Sequence, residues 1–253
     1  MKSRLLILAG GCLAASVWST PSFAQGTDEF GAYGGLEARG HLDSPQKYAF
    51  ELRFGPYLPN VDDGVSGSPF GDIFGSKNRY LLGIEADWQA LRIPYFGSLG
   101  PGFGIGYTSI SADAPFTNSP GRSREETRLK IMPMYVVGVL RVDVLARETV
   151  VPLAAYAKGG FGYGLWWAMG EDKIERYEGE TGKGASYGYN VALGAMLLLD
   201  ALDRRGAVEM DSITGINNAY LFFEYYLSNL DGFGGDRMNV GTDTWMAGLA
   251  LEF

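Results

Sequence analysis

The chain has 253 residues, a formal charge of −8 and 37 glycines, and 20% of its residues are charged. This acidic balance argues against nucleic-acid binding, which needs clustered lysine and arginine to neutralise phosphates. The mean hydropathy of −0.03 argues against a bundle of membrane-spanning helices. The longest mostly apolar run beyond the N-terminus, residues 131–140, is too short for such a helix but fits a membrane-spanning strand. At this length, one all-β barrel or sandwich is an ordinary single domain.

Residues 1–24 have the pattern of a secretory signal peptide. A positively charged start is followed by an apolar stretch and by a small-x-small cleavage site that ends at Ala24. We therefore expect the mature chain to begin at Gln25 and to contain no cysteine, because Cys12 would be removed. The alternative is that residues 8–12 form a lipobox, with Cys12 as the lipidated residue. The well-formed Ala24 site favours the first interpretation.

Period-2 alternation of apolar with small or polar residues begins at residue 47 and predicts β-strands. Residues 25–46, which contain His41, are predicted to form a flexible leader, and 47–253 to form the domain. The alternating segments are about twice as long as ordinary soluble strands. There are eight of them: 47–57, 79–91, 98–110, 127–141, 151–167, 186–199, 218–228 and 242–253.

The composition of the two strand faces predicts which face points outward. One face is bulky and apolar, with aromatic residues towards the strand ends, as at membrane interfaces. The other face carries mostly small residues, such as the glycines at alternate positions from Gly100 to Gly106. Glycine has no side chain to cover a strand that faces water, but it fits the crowded interior of an eight-stranded barrel. We therefore predict a closed antiparallel transmembrane barrel, an up-and-down meander with its bulky face towards lipid. On the fourth segment, this assigns to the lipid face Leu129, Ile131, Tyr135, Val137 and Val139.

Connector lengths favour the same topology. Long connectors (58–78, 111–126, 168–185 and 229–241) alternate with shorter ones (92–97, 142–150 and 200–217), which is the asymmetry of outer-membrane barrels. The connector 200–217 is unusually long, and Ala201 to Ile213 is predicted to form a short amphipathic helix in this periplasmic turn. A ten-stranded barrel therefore stays open as an alternative. In either case the first strand must pair with the last, because an open sheet edge would leave backbone groups unsatisfied in lipid.

Four segments carry a resemblance to known proteins: YAFELRFGPYLPNVD (48–62), YAKGGFGYGLWW (156–167), YLFFEYYLSNLDGFGG (220–235) and TWMAGLALEF (244–253). They resemble a family of small bacterial outer-membrane β-barrels of unassigned function, similar in plan to the OmpA and OmpW types. The resemblance implies an eight-stranded barrel in a Gram-negative outer membrane, with membrane lipid and the barrel assembly machinery as partners and no catalytic residue. The alternating terminal residues resemble the assembly signal of such barrels: Trp245, Ala247, Leu249, Leu251 and Phe253.

The sequence offers little for catalysis or metal binding. Residues 184–188 match the G-x-S-x-G hydrolase pattern, but they open a strand instead of forming a strand–turn–helix elbow. His41 is the only histidine, and we interpret it as a solvated linker residue. Asp62, Asp63 and the acidic residues of 171–180 are interpreted as parts of solvated loops, with weak Ca²⁺ binding as the disfavoured alternative. We predict no enzyme activity and no cofactor.

Ionisable residues on the predicted interior faces carry both signs. Since buried charges persist only when they are paired, we predict a charge network that plugs the lumen. The alternative is that these residues line a hydrated interior. The set comprises Glu51, Arg53, Glu85, Asp87, Lys130, Lys158 and Glu224.

The sequence is compatible with three functions. The first is a structural or surface-interaction barrel whose loops meet an extracellular partner, with Phe70, Ile73, Phe74 and Phe116 as a candidate contact patch, although internal loop packing explains these residues equally well. The second is a narrow channel or transporter for small ions or hydrophobic molecules. The third, a membrane-embedded enzyme, is disfavoured by the single histidine.

Overall fold

The computed structural model describes residues 47–253, with the exception of 64, 78, 116–121, 171–172, 178–179, 203–212 and 236. The predicted signal peptide and leader, His41, Phe116 and most of the predicted helix at 201–213 lie outside the described residues.

Strands account for nearly all regular structure in the described part of the chain. None of the described helices is long and apolar enough to cross a membrane. A short 3-10 turn, Leu199–Ala201, follows the tenth strand. In chain order the other elements are β1 (Tyr48–Tyr57), α1 (Pro69–Phe74), β2 (Arg79–Trp88), β3 (Leu91–Ile93), β4 (Gly97–Pro115), β5 (Arg122–Val142), α2 (Val144–Glu148), β6 (Leu153–Gly170), β7 (Lys173–Ile174), β8 (Arg176–Tyr177), β9 (Glu180–Thr181), β10 (Lys183–Leu198), β11 (Asn218–Asn229) and β12 (Thr242–Glu252).

The eight long strands form a closed ring. Each pairs antiparallel with the next long strand along the chain, in the order β1, β2, β4, β5, β6, β10, β11 and β12. The ring closes because β1 also pairs with β12, with Leu52 opposite Leu249. The short segments β3 and β7 pair only with the start of β4 and the end of β6, respectively. The predicted eight-stranded, up-and-down barrel is therefore confirmed, and the ten-stranded alternative is wrong.

The two ends of the barrel differ. The connectors after β1, β4, β6 and β11 meet at one end, called the loop end. The turns after β2, β5 and β10 meet at the other, called the turn end. The two ends of the described chain also lie there, where Lys47 N donates to Phe253 O at 2.8 Å.

The outside of the barrel is apolar and the inside is polar. On β1, Phe50, Leu52 and Phe54 are each at least half exposed, whereas Glu51 and Arg53 between them are buried. The same outward face was predicted for β2, β4, β6, β10, β11 and β12, and the burial pattern confirms it. This is the arrangement of a transmembrane barrel.

The predicted face of β5 is wrong. Ile131, Tyr135 and Val137 point into the lumen and are buried, as are Leu129 and Val139. The even-numbered residues of the strand therefore point outward. Both faces of β5 are apolar, so alternation alone did not distinguish them.

The glycines of β4 give the physical reason for the orientation of β5. Gly102 lies opposite Val137, and Gly104 lies opposite Tyr135. A Cβ atom on Gly104 would lie 2.1 Å from the Tyr135 ring. The bulky interior residues of β5 thus fill the space that the small interior residues of β4 leave.

The hairpin of β4 and β5 is longer than predicted. The predicted connector 111–126 is wrong, because β4 continues to Pro115 and β5 begins at Arg122. Outside lipid, a hairpin can carry polar residues on both faces, so apolar alternation fades before the strands end.

Buried side chains of the described residues form three layers inside the barrel. An apolar cluster extends to the loop end and includes Phe70 of α1 and Leu230 and Val240 of the β11–β12 loop. Charged residues lie in the middle. A smaller apolar cluster lies towards the turn end and contains Ala154, Tyr156, Met196, Tyr220, Phe222 and Ala250.

Candidate functional site

The charged middle layer is the strongest candidate site in the described residues. Alternation places Glu51 and Arg53 on the same interior face of β1. The register places Glu85 of β2 directly opposite Glu51. Two carboxylates in opposite positions repel each other, so this arrangement requires a cation between them.

Lys158 supplies that cation from the far side of the barrel. Its Nζ lies 2.7 Å from Glu51 Oε2 and 2.7 Å from Glu85 Oε1. β6 stands four strands from β1 in a ring of eight, so the Lys158 side chain reaches across the lumen. All three residues are at most 3% exposed.

Arg53 forms the second cationic centre. Its guanidinium is ion-paired with Glu85 and Glu224. It also donates to the Tyr135 hydroxyl, which in turn donates to Glu85 Oε2 at 2.5 Å. Aromatic rings surround it, with Tyr135 and Tyr226 centroids 5.5 and 5.7 Å from Cζ. Such cation–π contacts strengthen in a desolvated site.

Arg141 forms a third centre near the turn end, and sequence reasoning missed it. It is ion-paired with Glu252, and its Nη2 lies 3.5 Å from Asp87 Oδ2 and 3.6 Å from Glu51 Oε1. Arg141 was missed because the face of β5 was reversed. Glu252 lies on the predicted interior face of β12, and that position was the available signal.

Lys130 does not belong to the cluster. It was predicted to face the lumen, but as an even-numbered residue of β5 it lies on the outer face and is half-buried. The structure brings the other members of the predicted set together: Glu51, Arg53, Glu85, Asp87, Lys158 and Glu224.

Three carboxylates of the cluster are spaced as metal ligands could be. One oxygen from each of Glu51, Glu85 and Asp87 lies within 4.8 Å of the others. Carboxylate oxygens are ligands of Ca²⁺, but the Lys158 ammonium already contacts two of the three groups. A metal ion would have to displace that lysine.

The space beside Arg53 is very small. A cavity lined by Arg53, Leu81, Tyr135, Tyr226 and Met246, among others, has a volume of about 10 Å³. This is at the lower limit for a single water molecule. The side chains of the middle layer therefore pack closely around Arg53.

The loop between β11 and β12 enters the barrel at the loop end. Leu230 and Val240 are buried, and Cβ atoms on Gly162 and Gly164 would lie 2.7 Å from these two side chains. Tyr57 donates its hydroxyl to the Val240 carbonyl oxygen. The loop therefore packs into the space above the interior glycines of β6.

A short turn at the tip of this loop is held by Asp231. Its carboxylate accepts hydrogen bonds from the Gly234 backbone N–H and from the Asn229 side chain, which hold the pKa of Asp231 below its usual value. The two hydrogen bonds favour the charged carboxylate.

The predicted contact patch is largely internal. Phe70 is buried and stacks on half-buried Phe74, with ring centroids 5.0 Å apart. Asp62 accepts the N–H groups of Phe70 and Gly71 at 2.7 and 2.9 Å, which fixes the start of α1. Internal packing, the alternative reading, therefore explains Phe70 and Phe74, and Asp62 is a structural residue.

Ser186 lies within the extended strand β10, and its hydroxyl donates to the Met238 carbonyl oxygen at 2.6 Å. It is not on the sharp turn that a hydrolase nucleophile requires. The absence of enzyme activity stays a prediction.

The terminal residues of β12 lie on the outer face. Trp245 stacks on Phe223 with centroids 5.0 Å apart, and the Phe253 ring meets the Phe50 ring edge to face at 5.9 Å. Leu249 is exposed and Leu251 half-buried. Their role as an assembly signal stays a prediction.

Comparison with known proteins gave only distant structural similarity. The sequence matches no protein-family model and no curated protein. Solved structures similar to the chain include Ail, the attachment invasion locus protein of Yersinia pestis, in complex with the heparin analogue sucrose octasulfate (12% identity, TM-score 0.40, covering 82% of this chain and 97% of that chain). Neisserial surface protein A, NspA, shows 13% identity and a TM-score of 0.40 over 82% of this chain and 97% of that chain. The N-terminal β-barrel domain of Pseudomonas aeruginosa OprF shows 8% identity and a TM-score of 0.35 over 83% and 100%. The strand pairing of this chain itself establishes the barrel.

Proposed function

We propose that this protein is an outer-membrane barrel whose lumen is closed and whose function is carried by its loops, as a structural or surface-interaction protein. In this proposal the chain is exported, cleaved after Ala24 and inserted by the barrel assembly machinery. The observation that carries the proposal is the charge cluster, in which Lys158 and Arg53 tie together carboxylates from different strands across the barrel.

The exposure of apolar side chains on the outer wall supports the location in a membrane. Exposed Phe, Leu, Tyr and Trp side chains cover the outer wall, and a closed ring leaves no unpaired strand edge in hydrocarbon. The described charges of the middle layer all lie inside. An exterior of this kind is stable in a bilayer and aggregates in water.

The energetics of buried ion pairs support a closed lumen. Removing one partner of a buried pair leaves the other charge uncompensated, at a cost of about 3–5 kcal/mol. A hydrated pathway past Lys158 would have to separate it from both Glu51 and Glu85. Leu230 and Val240 would still block the loop end.

Conductance in planar bilayers tests closure. We expect no large stable pore from the wild-type protein. Replacing Glu51, Glu85 and Lys158 by alanine together with Leu230 and Val240 should increase conductance, because this removes groups that fill both the centre and the loop end. The matched control is Lys173→Ala, at an exposed loop lysine, which should leave conductance unchanged.

Heat-modifiable migration on a denaturing gel verifies that each variant has folded as a barrel. A large stable pore in the wild-type protein would contradict the proposal and favour the channel or transporter alternative.

A further inference from the structure

A row of basic and aromatic residues crosses the outer wall near the loop end. In the strand register, Lys130 of β5 lies opposite Trp167 of β6, and Trp167 lies opposite Lys183 of β10. All three occupy outward positions on their strands. Because neighbouring strands are about 4.8 Å apart, the two lysines lie about 10 Å apart on either side of the indole.

Arg237 of the β11–β12 loop extends this row. Its guanidinium lies 4.9 Å from the centroid of the Tyr187 ring, and its Nη1 donates to the Ala185 carbonyl oxygen at 2.9 Å. Ala185 is two residues from Lys183 on the same strand, a distance of about 7 Å. The two contacts position the guanidinium on the outer side of the wall and leave other N–H donors available to a ligand.

The same loop packs an aromatic residue against the wall. Phe233 is 61% exposed, and its ring centroid lies 5.9 Å from that of Tyr187 and 6.2 Å from that of Phe161. Its φ of 60° is in the left-handed region, which is unfavourable for a bulky residue. The loop thus holds a strained conformation that keeps Phe233 over the outer surface.

The row lies where the apolar belt ends. Below Lys130, the outward residues of β5 are Met132, Met134, Val136, Gly138 and Leu140. Above it, Arg128 is paired with Glu126 at 2.6 Å. Aromatic residues and long cationic side chains at such a boundary meet the headgroups of the bilayer.

The three cations lack acidic partners within the described part of the chain. Lys130, Lys183 and Arg237 form no ion pair with any described carboxylate. The protein as a whole carries a formal charge of −8, so its overall charge would repel an anionic ligand. Attraction must therefore come from this local group of cations.

We propose that Lys130, Lys183 and Arg237, arranged around Trp167 and Tyr187, bind the phosphate of a lipid headgroup in the outer leaflet. Arginine matches phosphate with paired N–H donors, and lysine adds point charge. The acyl chains of the lipid would lie along the apolar belt below. This proposal rests on the membrane location proposed above.

The test measures lipid retention by native mass spectrometry after release from detergent. Wild-type protein is equilibrated with a diphosphorylated lipid A or with phosphatidylcholine. A triple variant, K130Q/K183Q/R237Q, is compared with a control of equal charge change in exposed loop positions, K77Q/K173Q/R176Q. Inorganic phosphate is added in a separate arm to compete with the lipid.

We expect wild type and control to retain lipid A in preference to phosphatidylcholine. The triple variant should bind lipid A about 100-fold more weakly, as expected for the loss of three cations at an anionic surface. Equal losses in the two triple variants, no preference in the wild type, or full displacement by inorganic phosphate would each overturn the proposal. Failure of the wild type to enter phosphatidylcholine vesicles would overturn the membrane location itself and this site with it.

Discussion

At the scale of single residues, Arg53 shows how a barrel tolerates charges in its centre. It contacts two carboxylates and the Tyr135 hydroxyl, and it is enclosed by aromatic rings. Glu85, Glu224 and Tyr135 lie on three different strands, β2, β11 and β5. The guanidinium therefore links β1 to these strands across the lumen and also neutralises buried carboxylates.

Replacing Arg53 by methionine should lower the free energy of unfolding by about 3–5 kcal/mol, because Glu224 would be left buried without a cation and Glu85 would keep only Lys158. Urea titration of the protein in lipid vesicles measures this change. Adding Glu224→Gln to Arg53→Met should recover part of the loss, since the uncompensated charge is then removed.

The matched control for Arg53 is Arg128→Met. Arg128 and Glu126 are each more than a third exposed, so stability should change little. Equal effects of Arg53→Met and Arg128→Met would contradict a structural role for the buried cluster.

At the scale of the strand, the fit between β4 and β5 decides which way β5 faces. The interior of β4 is glycine at four alternate positions, so the neighbouring strand must supply volume. Tyr135, Val137 and Val139 supply it. Side-chain volume is thus balanced between neighbouring strands and not within each one.

Gly104→Ala should destabilise the barrel by about 1–3 kcal/mol, because the added methyl group would overlap the Tyr135 ring. Gly138→Ala is the matched control. It lies on the outer face, and its Cβ would meet only the Gly159 carbonyl oxygen at 3.8 Å. Unfolding in urea measures both variants. If Gly104→Ala is as stable as Gly138→Ala, the interior position of Tyr135 is wrong.

Strand number and the outward face of most strands were predictable because they depend on period-2 alternation within single segments. Closure was predictable because an open sheet edge would leave backbone groups unsatisfied in lipid. The face of β5 was not predictable in this way. Its even and odd residues are both apolar, and the deciding information lies in the glycines of its neighbour. Because the predicted face of β5 was reversed, the sequence analysis left Arg141 out of the site and assigned Lys130 to it.

The ends of the barrel were also hard to predict from sequence. Leu230 and Val240 lie in a connector, and nothing in the local pattern indicates that this segment enters the lumen. Their burial depends on space above Gly162 and Gly164 of another strand. Contacts of this kind join distant parts of the chain and leave no periodic signal.

At the scale of the whole molecule, apolar bulk lies outside and charge lies inside. This order is the reverse of a protein that is soluble in water. The closed ring provides hydrogen-bond partners for the backbone N–H and C=O groups of the strands. The ion pairs compensate the buried charges of the interior. The exposed aliphatic and aromatic residues of the outer wall need contact with the acyl chains of lipids.

Flotation with phosphatidylcholine vesicles tests this arrangement most directly. The mature chain is refolded with the vesicles, centrifuged in a density gradient and run on a denaturing gel with and without boiling. We expect it to float with the lipid and to migrate faster when unboiled, as a folded barrel inserted through its apolar wall. A folded, detergent-free monomer that stays at the bottom of the gradient would contradict the outward orientation of the apolar residues.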